Sequence, residues 1–220
     1  VDPNNALHAF AHADGGWHLM GCMLSAASCN KWLCDDILKT TDYAAEQKDI
    51  TAEKLGRNHV YFLPYLMGER SPINDTNARG TFIGMTMDTT RSDLVQAVLE
   101  GVAFAIRDSF EVARSLGLDI PSSKLCGGGS RSPLWRTIFA NVLGIPLELP
   151  KTEQGPGYGG AMLAMVGCGR FESVQAAADA LVEVASVVEP DPSLTARYEA
   201  RYRQYRTIYP ALKPVFARLL

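Results

Sequence analysis

The chain has 220 residues, of which 47% are hydrophobic and 20% charged, and its formal net charge is -3. That length suits one large domain or two small ones with an ample core, and the composition is that of an ordinary globular protein. The slightly acidic balance argues against a nucleic-acid partner or a membrane surface, and no apolar run approaches the ~18 residues of a spanning helix.

The cysteines predict neither a disulfide framework nor a structural zinc site. There are five of them, an odd number, and no Cys-x-x-Cys occurs. The first residues also lack the basic and apolar segments of a secretory signal. We therefore expect inert thiols and a reducing, cytoplasmic location.

The first elements predicted are a hairpin and a helix. Residues 6–12 and 17–23 flank the turn cluster Asp14-Gly15-Gly16, which is typical of a hairpin. A helix is expected over 25–38, where apolar side chains share one face. The polar stretch 42–57 predicts a surface helix.

Residues 61–84 predict a long irregular loop. Prolines and glycines interrupt this stretch too often for a regular element. The charged residues Glu69-Arg70 and those in 75–79 allow two interpretations. The loop is tied down by its own ion pairs, or it lines a cleft between domains.

The longest helix is expected over 92–116, beginning at a capping box formed by Thr90 and Asp93 and ending before Gly117. An alternation of strands, glycine turns and helices follows, which predicts an α/β fold. Its segments are strand 124–126, helix 132–143, strand 146–149 and helix 156–168.

Two further helices are predicted over 173–184 and 194–209. The second carries tyrosines at positions 198, 202, 205 and 209, a spacing of four, three and four. A stripe with that spacing lies on one helix face, and we interpret it as packing rather than a cofactor site.

Two glycine-rich turns are the candidate ligand-binding features. The first is Gly127-Gly128-Gly129-Ser130, and the second covers 155–160; each is expected to open a helix. Glycine lets the backbone approach a ligand closely, and a helix N-terminus favours anions such as phosphate. The first turn has Ser132 where a dinucleotide fingerprint has glycine, which disfavours a dinucleotide-dependent dehydrogenase. Taken alone, this turn fits a tight strand-to-helix connection equally well.

Three histidines near the N-terminus do not form a convincing metal site. His8 and His12 are four residues apart and His18 lies across the predicted hairpin, but Ala9, Phe10 and Ala11 intervene. No His-Glu-x-x-His pattern is present, so we assign no metal ligand and interpret the histidines as structural.

The order of motifs resembles the C-terminal half of the FGGY carbohydrate kinases, most closely the xylulose kinases. The stretches that carry the resemblance are 8–12, 17–21, 65–72, 77–80, 80–85, 93–100, 127–136 and 155–160.

The resemblance implies an actin-like (ribonuclease H-like) ATPase fold with a mixed sheet flanked by helices. It implies that the whole chain, 1–220, is the ATP-binding C-terminal domain, and that a sugar-binding N-terminal domain is absent. ATP and Mg²⁺ are the implied cofactors, and the reaction implied is phosphorylation of a terminal sugar hydroxyl, at position 5 for D-xylulose. A homodimer stays open.

The resemblance also implies the site residues. Gly127, Gly128 and Gly129 would line the adenosine pocket, with Ser132 near the adenine or ribose. On the earlier helix, residues from Ala27 to Lys31 would face the nucleotide, although Ala27 stands where family members often have glycine. The 155–160 turn would pack beneath the site as a connecting element.

No catalytic base is assigned. In this family the catalytic Asp and a phosphate-binding Gly-Thr-Ser turn lie upstream of the segment that begins at Val1. We expect these 220 residues alone to be inactive as a kinase. A glycerol, ribulose, gluconate or fuculose kinase remains an alternative, as does an actin-like nucleotide-binding module without catalysis.

Overall fold

The computed structural model describes residues 2–152 and 155–219. The strands are β1 (His8–Ala11), β2 (Trp17–Met20), β3 (Tyr61–Leu63), β4 (Thr81–Ile83), β5 (Ser123–Lys124), β6 (Leu147–Pro150) and β7 (Val184–Val188). The helices are α1 (Ala27–Lys31), continued as a π-helical turn over Trp32–Ile37, α2 (Tyr43–Gln47), α3 (Arg91–Ser115), α4 (Pro133–Leu143), α5 (Gly155–Gly167), α6 (Val174–Leu181) and α7 (Pro192–Phe216).

The described strands form three small sheets. β1 pairs with β2 and β3 with β4, both antiparallel. The third sheet has the order β5-β6-β7, with β5 parallel and β7 antiparallel to β6. Helix α4 connects the two parallel strands, as a crossover connection requires. The predicted α/β architecture with a mixed sheet is therefore confirmed.

Helix α3 lies at the centre of the core. It begins at the predicted capping box, because Thr90 accepts from the amide of Asp93 while Asp93 accepts from the amide of Thr90. Its middle part, from Val95 to Ala105, is buried throughout. A Cβ at Gly101 would lie 2.2 Å from the carbonyl oxygen of Phe62, so only glycine lets α3 approach β3 this closely.

A buried ion pair joins α3 to α7. Arg201 Nη2 donates to Glu100 Oε2 at 2.8 Å, and the two side chains are 9% and 1% exposed. Glu100 also accepts from Tyr198 at 3.1 Å and from Gln96 at 2.8 Å, while Arg201 donates to the carbonyl oxygen of Val60 at 3.1 Å. The pair is hydrogen-bonded on both sides, which is the condition for a buried charge to be tolerated.

Most predicted elements are present. The hairpin, the helix from 25, the longest helix and the helices at 132 and 194 are confirmed within a few residues, except that α7 continues through Pro210 and Pro214 to Phe216. Tyr198, Tyr202 and Tyr205 are buried, as expected for packing.

Three predictions of local structure are wrong. The stretch 42–57 contains only the five-residue helix α2, because no sustained apolar face stabilises a longer one. The 155–160 turn is instead the first part of α5; Glu153 and Gln154, which precede it, lie outside the described residues. The helix predicted over 173–184 ends at Leu181, and Val184 begins strand β7, whose valines favour a strand.

The loop predicted over 61–84 is irregular only over 64–80, because its two ends pair as β3 and β4, and a buried carboxylate holds it. Glu69 is 3% exposed and its Oε1 accepts from the amides of Leu24 and Arg70 at 2.9 and 2.8 Å. Burial raises the pKa of Glu69. The loop is thus tied to the segment that leads into α1. In the described part of the chain, no helix is both long and apolar enough to cross a membrane.

Replacing Arg201 with Met should destabilise the fold by about 3–5 kcal/mol, because Glu100 would be left as an uncompensated buried charge. Arg203→Met is the matched control on the same helix. Its partner Glu199 is at the surface and the Arg203 side chain is 78% exposed, so about 0–1 kcal/mol is expected. Urea unfolding of both variants measures the difference; equal, small losses would contradict the buried pair.

Candidate functional site

A cleft of about 780 Å³ lies where three segments meet: α1, α2 and the glycine turn that leads into α4. That volume is within the range of small-molecule and cofactor pockets, roughly 300–1,000 Å³. The glycine turn is far from α1 and α2 in sequence, so tertiary packing creates the cleft.

The glycine turn forms the first wall, through Gly128 and Gly129. Gly127 has φ +89°, and Ser130 Oγ donates to its carbonyl oxygen at 2.7 Å, which closes the turn. A Cβ at Gly128 would meet no atom within 4 Å, whereas one at Gly129 would lie 3.0 Å from the Trp135 ring. A side chain at 129 would press on the buried Trp135 ring, whereas at 128 the space above the backbone is open to a ligand.

Trp135 forms the base of the same wall. It is 3% exposed, its Nε1 donates to the carbonyl oxygen of Leu99 in α3 at 2.9 Å, and its ring stacks on Phe139. Ser132 caps α4 by accepting from the amide of Trp135 at 3.1 Å. These contacts fix the start of α4 at the edge of the cleft.

Helix α1 forms the second wall, through Ala27, Ser28, Asn30 and Lys31. Lys31 Nζ donates to Asp35, and Tyr43 donates to the other Asp35 oxygen at 2.9 Å. The hydrogen bond with Asp35 raises the pKa of Lys31, and the same bond lowers the pKa of Asp35. Both groups are therefore charged at neutral pH.

The third wall is α2 with its N-cap, which contributes Asp42, Tyr43, Ala44 and Gln47. Ser132 Oγ donates to Gln47 Oε1 at 2.5 Å, so the α2 wall touches the glycine wall directly. Asp42 accepts from the amide of Ala45 and starts the helix.

Five of the six residues named from the sequence line this cleft: Ala27, Lys31, Gly128, Gly129 and Ser132. Gly127 does not line it, but its positive φ shapes the turn.

Sequence reasoning missed the α2 wall and the lining role of Trp135. The only early signal for α2 was a polar stretch beginning at an N-cap residue, Asp42. That pattern is shared by ordinary surface helices.

A nucleotide fits the donors and acceptors present. The glycine turn offers close backbone approach, Lys31 and Arg131 are cations at the rim, and Asn30 and Gln47 carry amides. Among residues 2–152 and 155–219, no group of three or more His, Cys, Asp or Glu side chains is placed to hold a metal ion. Of the carboxylates that the structure describes, Asp42 alone lines the cleft.

Comparison with known proteins decides the family. Residues 2–168 match the FGGY family of carbohydrate kinases, C-terminal domain. The chain belongs to this family.

Individual relatives agree with this assignment. The chain is 37% identical to the xylulose kinase of Escherichia coli K12 over 98% of its own length and 44% of that protein's. It superposes on the crystal structure of a xyloylose kinase from Brucella ovis with a TM-score of 0.88 and 38% identity, covering 97% of this chain and 44% of that one.

A gluconate kinase structure from Lactobacillus acidophilus is also similar, with a TM-score of 0.87 and 25% identity, covering all of this chain and 45% of that one. The chain thus spans less than half the length of the relatives it matches. The neighbours confirm the predicted actin-like sugar-kinase fold.

Replacing Gly128 with Val should weaken ATP binding about tenfold or more while the fold is retained, because the new side chain projects into open cleft space. Gly160→Val is the matched control: it also meets no atom within 4 Å, but it lies in α5, outside the cleft. Calorimetric titration with Mg·ATP and a thermal melt measure both effects. Unchanged affinity in the Gly128 variant would mean that the turn is only structural.

Proposed function

We propose that this chain is the nucleotide-binding part of an ATP-dependent sugar kinase, with D-xylulose as the first substrate to test. The observation that carries the proposal is that α1 and the glycine turn converge in one cleft. The family resemblance implied nucleotide binding for both segments, which are about 100 residues apart.

In the proposed reaction, the γ-phosphoryl group moves from ATP to the terminal hydroxyl of the sugar, position 5 for D-xylulose. Such a transfer depends mainly on positioning and on stabilising charge. This chain would orient the adenosine between the glycine turn and α1. Bound Mg²⁺ would neutralise phosphate charge and be held chiefly by the phosphates themselves.

The residues that choose the sugar and remove its proton are proposed to lie in the part of the relatives that this chain does not span. We assign no catalytic base to these 220 residues, and we propose that alone they bind nucleotide without phosphorylating sugar. A homodimer and a cytoplasmic location remain part of this proposal.

The identity of the sugar rests on the relatives. Several are named xylulose kinase, whereas others are named gluconate kinase and glycerol kinase. D-xylulose is favoured because two xylulose kinases are 33% and 37% identical over 97% and 98% of this chain, whereas a glycerol kinase is 32% identical over 83% of it and the gluconate kinase 25% identical.

The proposal predicts that the chain binds Mg·ATP in a calorimetric titration and does not bind NAD. Binding of NAD in preference to ATP would favour a dehydrogenase. The chain alone should release no ADP above the ATP background when D-xylulose is added, and robust xylulose-dependent ADP release would contradict the assignment of the base elsewhere.

The second step uses the chain joined to an upstream domain of the kind its relatives carry. ADP release is then measured with D-xylulose, L-ribulose, gluconate, fuculose and glycerol. The highest kcat/KM is expected with D-xylulose. ATP binding without turnover on any sugar would favour the non-catalytic nucleotide-binding module.

A further inference from the structure

Helix α2, which forms the third wall of the cleft, is too short to be stable on its own. Helix α2 has five residues, and isolated helices shorter than about 12–15 residues are marginal in water. Its residues Asp42, Tyr43 and Gln47 line the cleft, so the width of the cleft depends on what holds α2 from outside.

Within residues 2–152 and 155–219, three hydrogen-bonded side-chain contacts join α2 to other elements. Two of them, Tyr43 with Asp35 and Gln47 with Ser132, involve side chains that line the cleft. A bound ligand competes for those groups. The third contact joins Glu46 to Arg91, neither of which lines the cleft, so a ligand leaves it intact.

The contact between Arg91 and Glu46 has the geometry of a two-pronged ion pair. Arg91 Nε and Nη2 donate to the two oxygens of Glu46 at 2.6 and 2.7 Å. Nη2 also donates to the carbonyl oxygen of Leu38 at 3.2 Å. One guanidinium therefore joins the start of α3, the end of the π-helical turn after α1, and α2. The paired geometry adds directional specificity that a single ammonium contact lacks.

The position of Arg91 is itself informative. It is the first residue of α3, where the helix dipole disfavours a cation. The residue therefore does not stabilise its own helix through charge. Its favourable interactions are with Glu46, whose pKa is lowered by the hydrogen bonds from Arg91, and with Leu38.

We propose that Arg91 and Glu46 are positioning residues that hold the α2 wall and thereby set the affinity of the cleft for nucleotide. The inference rests on the proposed function, since it names the device that shapes the same site. Neither residue touches the ligand; both act through Tyr43 and Gln47.

The test is calorimetric titration of the chain with Mg·ATP. In Arg91→Ala the Kd should rise about three- to fivefold, a size set by one partly exposed ion pair. Glu46→Gln, which keeps the shape of the side chain, should raise the Kd about twofold to threefold. The exchanged pair Arg91→Glu with Glu46→Arg should recover most of the wild-type affinity.

Lys151→Ala is the matched control. It removes an ion pair with Glu183 at 2.7 Å that lies at the surface, away from the cleft. Its Kd should equal that of wild type. The ratio between Arg91→Ala and wild-type Kd should also shrink as NaCl is raised from 0.05 to about 0.5 M, because salt screens a partly exposed pair. A purely structural change elsewhere has no such salt dependence.

Each outcome of the Mg·ATP titration either supports or overturns the positioning role of Arg91 and Glu46. Wild-type Mg·ATP affinity in Arg91→Ala overturns the positioning role while leaving the proposed function standing. Failure of the wild-type chain to bind Mg·ATP overturns the proposed function and this inference together. If Arg91→Ala does not fold in a thermal melt, Glu46→Gln is used instead, and wild-type affinity there overturns the inference.

Discussion

The buried pair of Glu100 and Arg201 fixes α3 against α7, and the position of the cleft follows from where α3 lies. Four residues before Glu100, Gln96 joins the same network; at the adjacent residue, the carbonyl of Leu99 accepts the indole N–H of Trp135. Trp135 in turn lies so close to Gly129 that a Cβ there would be 3.0 Å from its ring. A charge buried in the core is thus connected, within two contacts, to the backbone that the nucleotide is proposed to approach.

The elements around the cleft differ in how far the sequence alone predicts them. Capping boxes and terminal glycines are local signals, so α3 could be predicted from Thr90 and Asp93 at its start and from Gly117 after its end. The α2 wall could not, because Gln47 meets Ser132 only through a contact spanning 85 residues. Strand β7 was missed, and residues 155–160 were interpreted as a turn, for a related reason. Short apolar or glycine-rich segments have no decisive periodicity, and tertiary packing determines their conformation.

The candidate site was predictable to the extent that single segments carry their own chemistry. The glycine turn suggested a ligand from its own residues, and α1 did so only through the family resemblance. The cations and amides around them could be assigned to the site only once the fold had brought these segments together. Lys31 shows the limit. Its position in the cleft was expected, but its contact with Asp35, which also binds Tyr43, makes it part of the structure between two walls as well as a charge facing a ligand.

Arg91 connects the core helix α3 to the α2 wall of the cleft. Arg91 is the first residue of α3, the helix that the Glu100–Arg201 pair holds in the core. Its guanidinium donates hydrogen bonds to Glu46 and to the carbonyl oxygen of Leu38, outside the cleft. A cation at the first position of a helix interacts unfavourably with the helix dipole, so the stability of α3 by itself does not favour arginine there. Its contacts are explained if they hold α2, a helix too short to be stable by itself, in a fixed position against the core. The same helix then positions two of the three walls, α4 through Trp135 and α2 through Arg91.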